Sequence, residues 1–369
     1  MPPKNLHNAP FGKSTLTKLQ IFQLYAREWL PVFHKLPYIS EITIIDYFAG
    51  PGYDVKGVPG SPIRILEEIR KCMETYPKDK TKVCVHFNEC HRAKNESLQK
   101  ACNAYIQEYP QMRSYLEMQF YCEDFDICFN KLRNDMGKNP SLIYLDQNGI
   151  KHLQDKYISF FLATKRIDFL YFVASSYIKR FRKTTAFRLY CDDTLLKIVD
   201  TSEPLLIHRK LVEYLNEKYS HNANSWFVPF SLKKGKNVYG IVLGASNPKA
   251  VEKFLKVTWE QSEANGEANF DIDDDSSKAQ LILFGEKEPD KRESFLNALE
   301  KYIKDKKIVT NAEVYEFTLK NGFPISRATE HLRQLKREKK IHFEGSGPQI
   351  NYKSWKNNDK PVIITHTNQ

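Results

Sequence analysis

The sequence predicts an α/β protein: a mostly parallel β-sheet with helices on both faces, followed by a smaller C-terminal domain of different make. Three observations carry this. Short apolar, β-branched runs alternate with helical patterns over residues 1–260, as in a sheet covered on both sides. The first of these runs opens into a loop dense in glycine and proline, "YFAGPGYDVKGVPGSP". Beyond a polar, acidic stretch at 262–277 the alternation gives way to a run of helices.

A chain of 369 residues exceeds what one compact core usually needs. We therefore expect a domain over 1–260, an acidic linker over 261–290 and a second domain over 291–369. With 41% hydrophobic and 13% aromatic residues, the chain can bury a large core. The formal net charge of +11 suits an anionic partner such as nucleic acid but does not demand one. Cysteines stand at 72, 84, 90, 102, 122, 128 and 191, with no Cys-x-x-Cys pair and no zinc-like grouping, so we expect no metal. Reduced thiols in a cytoplasmic protein are the expectation. The opening "MPPKNLHNAPFGKS" lacks the apolar segment of a signal peptide, and no apolar run is long enough to cross a bilayer.

The elements follow in order. Residues 14–30 carry an apolar stripe at helical spacing, and Pro31 is expected to end it. A buried strand is predicted over 41–48, then a helix over 60–76 with Pro62 at its start. Strand 82–89 and helix 92–109 repeat the unit, as do strand 118–124 and helix 125–136. Strands are predicted at 141–147, 166–175 and 236–246. In the tail, helices are predicted at 292–306, 310–322 and 326–340. The second begins with the capping box Thr310-x-x-Glu313 and stops at Asn321-Gly322. The third turns Ala328, Leu332 and Leu335 inward, and two short strands joined by "GSGP" complete a winged helix-turn-helix.

In an open parallel sheet the ligand lies beyond the carboxyl ends of the strands, where backbone amides and a helix N-terminus meet it. Gly50 and Gly52 let the chain approach such a ligand without a Cβ in the way. A dinucleotide fingerprint would need a third glycine at 55, which is Val55, so NAD or FAD is disfavoured. S-adenosylmethionine is bound at the same place in methyltransferases of this Rossmann type. For it, Asp46, Phe48, Gly50, Pro51 and Gly52 supply the first strand end and loop. Glu89 supplies the acid for the ribose, Asp124 the acid facing the adenine, and Asp146 the group near the reacting methyl.

The chain resembles the three-Cys-motif partner family, TcmP, of bacteria. The resemblance runs through "TKLQIFQLYAREWLPVF", "IIDYFAGPGYDVKGVPGSPI", "VHFNE", "IYLDQNGIK", "IDFLYFVASSYIKRF", "YGIVLGASNPKAVEKFLKVTW", "GEANFDID" and "VTNAEVYEFTLKNGF". It implies an S-adenosylmethionine-methyltransferase-like domain with a C-terminal helix-turn-helix. It also implies a partner protein with three closely spaced cysteines, resembling a radical-SAM or Fe–S protein, and a place in bacterial anti-phage defence. One departure bears on chemistry. The family reads Asp-Pro-aromatic-Gly where this chain has Asp146-Gln147-Asn148-Gly149. Amino-methyltransferases use that proline and ring to hold the target amine, and both are missing here. Asp146 then serves either the amine or the methionine end of the cofactor, with Asn148 and Lys151 as nearby polar groups.

Two basic surfaces complete the reading. "SSYIKRFRKTTAFR" sets Lys179, Arg180, Arg182, Lys183 and Arg188 among Tyr177, Phe181 and Phe187, a mixture that suits a phosphate backbone with stacking bases. The third tail helix presents Arg327, Arg333 and Arg337. Two functions remain open: an S-adenosylmethionine-dependent methyltransferase acting on nucleic acid, or a non-catalytic adaptor on a degenerate methyltransferase scaffold.

Overall fold

The computed structural model describes residues 10–77, 81–147, 154–164, 166–188, 192–203, 206–220, 225–234, 237–261, 289–357 and 361–367. The chain divides into two compact units, Met1–Ala250 and Val251–Gln369. This boundary falls before the expected one at 260, so most of the helix Pro248–Gln261 goes with the second unit. Packing explains the shift: Trp259 donates its indole N–H to the Gly322 carbonyl at 2.9 Å and lies 4.8 Å from the Phe323 ring. The expected linker at 261–290 lies almost wholly outside the described residues.

The first unit holds strands β1 (Glu41–Asp46), β2 (Lys82–Asn88), β3 (Leu116–Tyr121), β4 (Ser141–Leu145), β5 (Ile167–Val173), β6 (Trp226–Lys234) and β7 (Asn237–Ala245). Its helices are α1 (Lys13–His34), α2 (Ser61–Thr75), α3 (Arg92–Glu108), α4 (Phe125–Leu132), α5 (Asp155–Ala163), α6 (Ser175–Phe181), α7 (Thr185–Arg188), α8 (Asp193–Thr201) and α9 (Ile207–Lys218), with α10 (Pro248–Gln261) crossing the boundary. The seven strands form one sheet in the order β3-β2-β1-β4-β5-β7-β6. β1 to β5 run parallel, and β7 is antiparallel to both of its neighbours. The order reverses between β1 and β4, which is where such a sheet opens a crevice.

Residue pattern dictates the layers. One face of the sheet turns Ile45, Ile143, Phe169, Tyr171 and Val242 into a cluster with Phe125, Phe129, Phe161, Val199 and Leu211 from α4, α5, α8 and α9. The opposite face receives α1, where Phe22 stacks on Tyr144 at 4.8 Å and 6° and its carbonyl accepts the Tyr144 hydroxyl at 3.0 Å. Pro31 does not end α1, which runs on to His34. A proline so near a helix end forfeits one backbone hydrogen bond, and the buried Trp29, Leu30 and His34 hold the last turn in place.

In the second unit, α11 (Lys291–Lys306), α12 (Asn311–Lys320), α13 (Ile325–Arg337) and α14 (Tyr352–Asn357) accompany β8 (Ile308–Thr310), β9 (Ile341–His342) and β10 (Ile363–His366). The Thr310–Glu313 capping box forms in both directions, and Ala328, Leu332 and Leu335 are buried. The expected hairpin does not form. β9 pairs with β10, which also pairs with β8, and the stretch expected to return as a strand becomes α14. Asn351 is the reason: its side chain accepts the Ser354 amide at 3.0 Å, an N-terminal cap that turns the chain helical.

Asp168 ties α1 to β5. It is buried and accepts hydrogen bonds from the Trp29 indole at 2.8 Å and the Tyr25 hydroxyl at 3.2 Å. Burial outweighs these donors and pushes its carboxyl up to about 7. A raised carboxyl binds a proton in the folded state that the unfolded chain has already released. Its stabilising share is therefore full below the ordinary aspartate range and is lost as pH rises through about 7. We predict that the melting temperature of wild type minus that of Asp168→Asn is largest at pH ~4 and below and shrinks as pH rises through about 7. A pH-independent difference would contradict this.

Candidate functional site

The crevice at the β1–β4 switch is built around Asp46, the last residue of β1, which is wholly buried. Its carboxylate accepts the Ser61 hydroxyl at 2.6 Å and the Phe48 amide at 3.1 Å. Burial raises this carboxyl to about 7, with Asp146 adding to the rise while Ser61, Phe48 and Lys18 oppose it. Ser61 opens α2, so one carboxylate joins the strand end to the first turn of the next helix and closes the loop between them.

That loop needs its glycines. Gly50 and Gly52 have φ of 67° and 92°, backbone conformations that side chains disfavour. A Cβ on Gly52 would also stand 2.7 Å from the Ala101 Cβ. Gly52 is thereby locked against α3, and its carbonyl accepts the Gly60 amide at 2.8 Å. Asp54 organises the rest by accepting the amides of Phe11, Lys56 and Val58, each at 2.8 Å.

Glu89 follows β2, as the sequence placed it, and is buried. Its Oε1 accepts the His91 amide at 2.8 Å, while no hydrogen bond reaches Oε2 among the described residues. Asp124 is the exposed N-cap residue of α4, yet its side chain makes no capping bond. Asp146 lies just beyond β4 and forms a short ion pair with Lys18 of α1, whose ammonium sits 4.8 Å from the Phe172 ring centre. Phe48 is half-buried and stacks on Phe125 at 5.9 Å. Asn148 and Lys151 lie outside the described residues.

The structure thus gathers Asp46 and Asp146 with Lys18 at the switch point and sets Glu89 and Asp124 at the neighbouring strand ends. Two residues that hold this site together are new. Lys18 carries no local signal, because its partner is 128 residues away. Asn88 donates to the Tyr47 carbonyl at 3.1 Å and the Glu123 carbonyl at 3.0 Å and accepts the Glu123 amide at 3.1 Å, so it ties β1 to the turn after β3. An asparagine ending an apolar strand in "VHFNE" is the signal that could have found it.

The basic segment after β5 is sorted by its contacts. Lys179 gives its ammonium to the carbonyls of Val199, Asp200 and Ser202, and Arg182 pairs with Asp200 at 2.8 Å. Lys179 caps the C-terminus of α8, a favourable place for a cation, and Arg182 pairs with a carboxylate of its last turn, so both are already engaged. Arg180, Lys183 and Arg188 are exposed, beside the exposed Tyr177. In the second unit Arg333 and Arg337 are exposed, while Arg327 is half-buried and near Glu330.

No family model matches the chain, and no curated protein matches it. Among solved structures it is similar to a Klebsiella pneumoniae protein provisionally described as an O-methyltransferase, at 12% identity and a TM-score of 0.31, over 64% of this chain and 91% of that one. It is also similar to a Legionella pneumophila str. Philadelphia 1 protein of the family DUF519, at 11% identity and a TM-score of 0.41, over 70% and 95%.

Gly52→Ala tests the loop geometry. The positive φ and the Ala101 contact together should cost about 1–3 kcal/mol of stability, seen as a lower midpoint in urea. Gly57→Ala, also at positive φ but with nothing within 4 Å, should cost less. Equal costs would contradict the close approach to α3.

Proposed function

We propose that the first unit binds S-adenosylmethionine at the carboxyl ends of β1, β2 and β4, as a methyltransferase or methyltransferase-like protein acting on or bound to nucleic acid. One observation carries this reading. A loop with two positive-φ glycines sits at the switch point of the strand order, and Asp46, Glu89, Asp124 and Asp146 stand at the ends of four adjacent strands. The Oε2 of Glu89 would accept the ribose hydroxyls, and the exposed Asp124 the adenine amine. The loop backbone from Phe48 through Gly50, Pro51 and Gly52 would lie along the methionine chain. Asp146 and Lys18 face the end where the methyl group would react. Methyl transfer to an amine needs little acid–base help, so alignment of donor and acceptor would supply most of the rate.

The second unit is read as a winged helix-turn-helix with α13 as the recognition helix. With Arg180, Lys183 and Arg188 of the first unit, it would contact phosphates. A second reading is favoured by one specific feature: Asp146 is followed by Gln147 and Asn148 instead of a proline and a ring, and it is already paired with Lys18. A non-catalytic adaptor that keeps the cofactor without turnover would have such a site.

Calorimetric titration with S-adenosylmethionine should give micromolar binding that Gly50→Val with Glu89→Ala abolishes. No heat of binding with a folded wild type would sink the proposal. Radiolabelled transfer to DNA, RNA or partner protein then separates enzyme from adaptor. On nucleic acid, each of Arg180→Ala, Lys183→Ala and Arg188→Ala should weaken binding and lower the salt slope by about one. Lys179→Ala should instead lower the melting temperature. An equal loss of binding from all four would contradict the assignment of Lys179 to the α8 terminus.

A further inference from the structure

Two exposed cysteines stand next to each other at the rim of the crevice, one residue past Glu89 and one past β3. Cys90 and Cys122 are the exposed thiols among the described residues; Cys72, Cys102 and Cys128 are buried and Cys84 is half-buried. β2 and β3 pair in parallel through Asn88 and Tyr121, and the Glu89 amide extends the ladder to the Tyr121 carbonyl at 3.1 Å. Continuing that register sets Cys122 opposite Glu89, with Cys90 one residue further along; a strand spacing of ~4.8 Å and an offset of ~3.3 Å give about 6 Å, within the Cα separation of about 4.4–6.8 Å that a disulfide spans. The Cys122 sulfur is 3.5 Å from the Cys90 carbonyl oxygen, so it already reaches its neighbour's backbone. The Cys90 sulfur is turned toward Glu89 Oε1 at 3.8 Å, and rotation about its Cα–Cβ bond would exchange that contact for Cys122.

We propose that Cys90 and Cys122 form a peroxide-responsive dithiol that closes to a disulfide across the ends of β2 and β3 and weakens ligand binding at Glu89. Its effect on binding rests on the S-adenosylmethionine reading above; its chemistry does not. In the first step the Cys122 sulfur attacks a peroxide oxygen, the O–O bond breaks, and Cys122 sulfenic acid and water form. In the second, the Cys90 sulfur attacks the sulfenic sulfur and the S–O bond breaks. The thiol proton leaves with that oxygen as a second water. Two electrons pass from the paired sulfurs to the peroxide, and a dithiol reductant restores both thiols. Burial and the negative Glu89 and Asp124 push the Cys90 thiol up. That leaves Cys122 as the sulfur oxidised first and Cys90 as the one that resolves it. Closure draws the Cys90 side chain away from Glu89 and pulls on the turn through His91 that holds Oε1.

The test treats the full chain with a small excess of hydrogen peroxide and maps the peptides by mass spectrometry without reduction. Wild type should yield a peptide linked through Cys90 and Cys122 that a dithiol reductant separates, and Cys90→Ser and Cys122→Ser should not. Calorimetry on the same samples should show S-adenosylmethionine binding weakened about tenfold or more in oxidised wild type, with peroxide leaving the binding of Cys122→Ser unchanged. Absence of the linked peptide, with higher oxides at these cysteines instead, would overturn the dithiol. A linked peptide with equal binding before and after oxidation would overturn the regulation. A linked peptide in a protein that binds no S-adenosylmethionine even when reduced would support the dithiol and reject the cofactor.

Discussion

The buried carboxylate of Asp46 is the constraint on which the site depends. It ends β1, and its two oxygens are held by the amide of Phe48 and the hydroxyl of Ser61. Removing a carboxylate from water is costly, and here the donors offset the cost only in part, so the group is held well above its ordinary range. What the arrangement secures is position. The strand end and the first turn of α2 are fixed to each other, and the intervening loop must close over a short path. Gly50 and Gly52 make that path possible through positive φ, and the close approach of Gly52 to Ala101 sets its depth.

The neighbouring strand ends are joined to this frame by polar groups that satisfy loop backbone. Asn88 serves three backbone groups of the turns after β1 and β3, and Asp54 serves two amides of the glycine-rich loop and that of Phe11 ahead of α1. α1 contributes from the other side. Its Phe22 stacks on Tyr144 of β4, its Tyr25 and Trp29 hold Asp168 of β5, and its Lys18 pairs with Asp146. A helix that precedes the sheet in sequence thus sets the charge balance at the sheet's open edge, and Asp46 is influenced by both members of that ion pair.

Much of the fold was legible in the sequence because its signals are local. β1, β2, β4 and β5 are largely apolar runs with β-branched residues, the glycine loop follows the first of them, and the Thr310–Glu313 box is a three-residue spacing that forms as read. β6 was missed because "WFVPFSLKK" carries Pro229, which argues against a central strand; the sheet order puts β6 at an edge, where the missing donor costs little. α8 and α9 were not anticipated, and with α8 unseen the roles of Lys179 and Arg182 could not be read. Composition showed that those residues are cations; only the fold shows that Lys179 meets the carbonyls ending α8 and Arg182 the Asp200 carboxylate. In the same way Glu89 and Asp146 were found by their place at strand ends, whereas Lys18 depends on a contact that no spacing encodes.

The most direct test of the central claim is a crystal structure of the protein with S-adenosylhomocysteine. The account predicts the ribose hydroxyls on Glu89, the adenine near Asp124, and the amino-acid end between the Phe48–Gly52 loop and the Lys18–Asp146 pair. Density for the ligand elsewhere, or an empty crevice at saturating ligand with the Asp46–Ser61 frame intact, would contradict it.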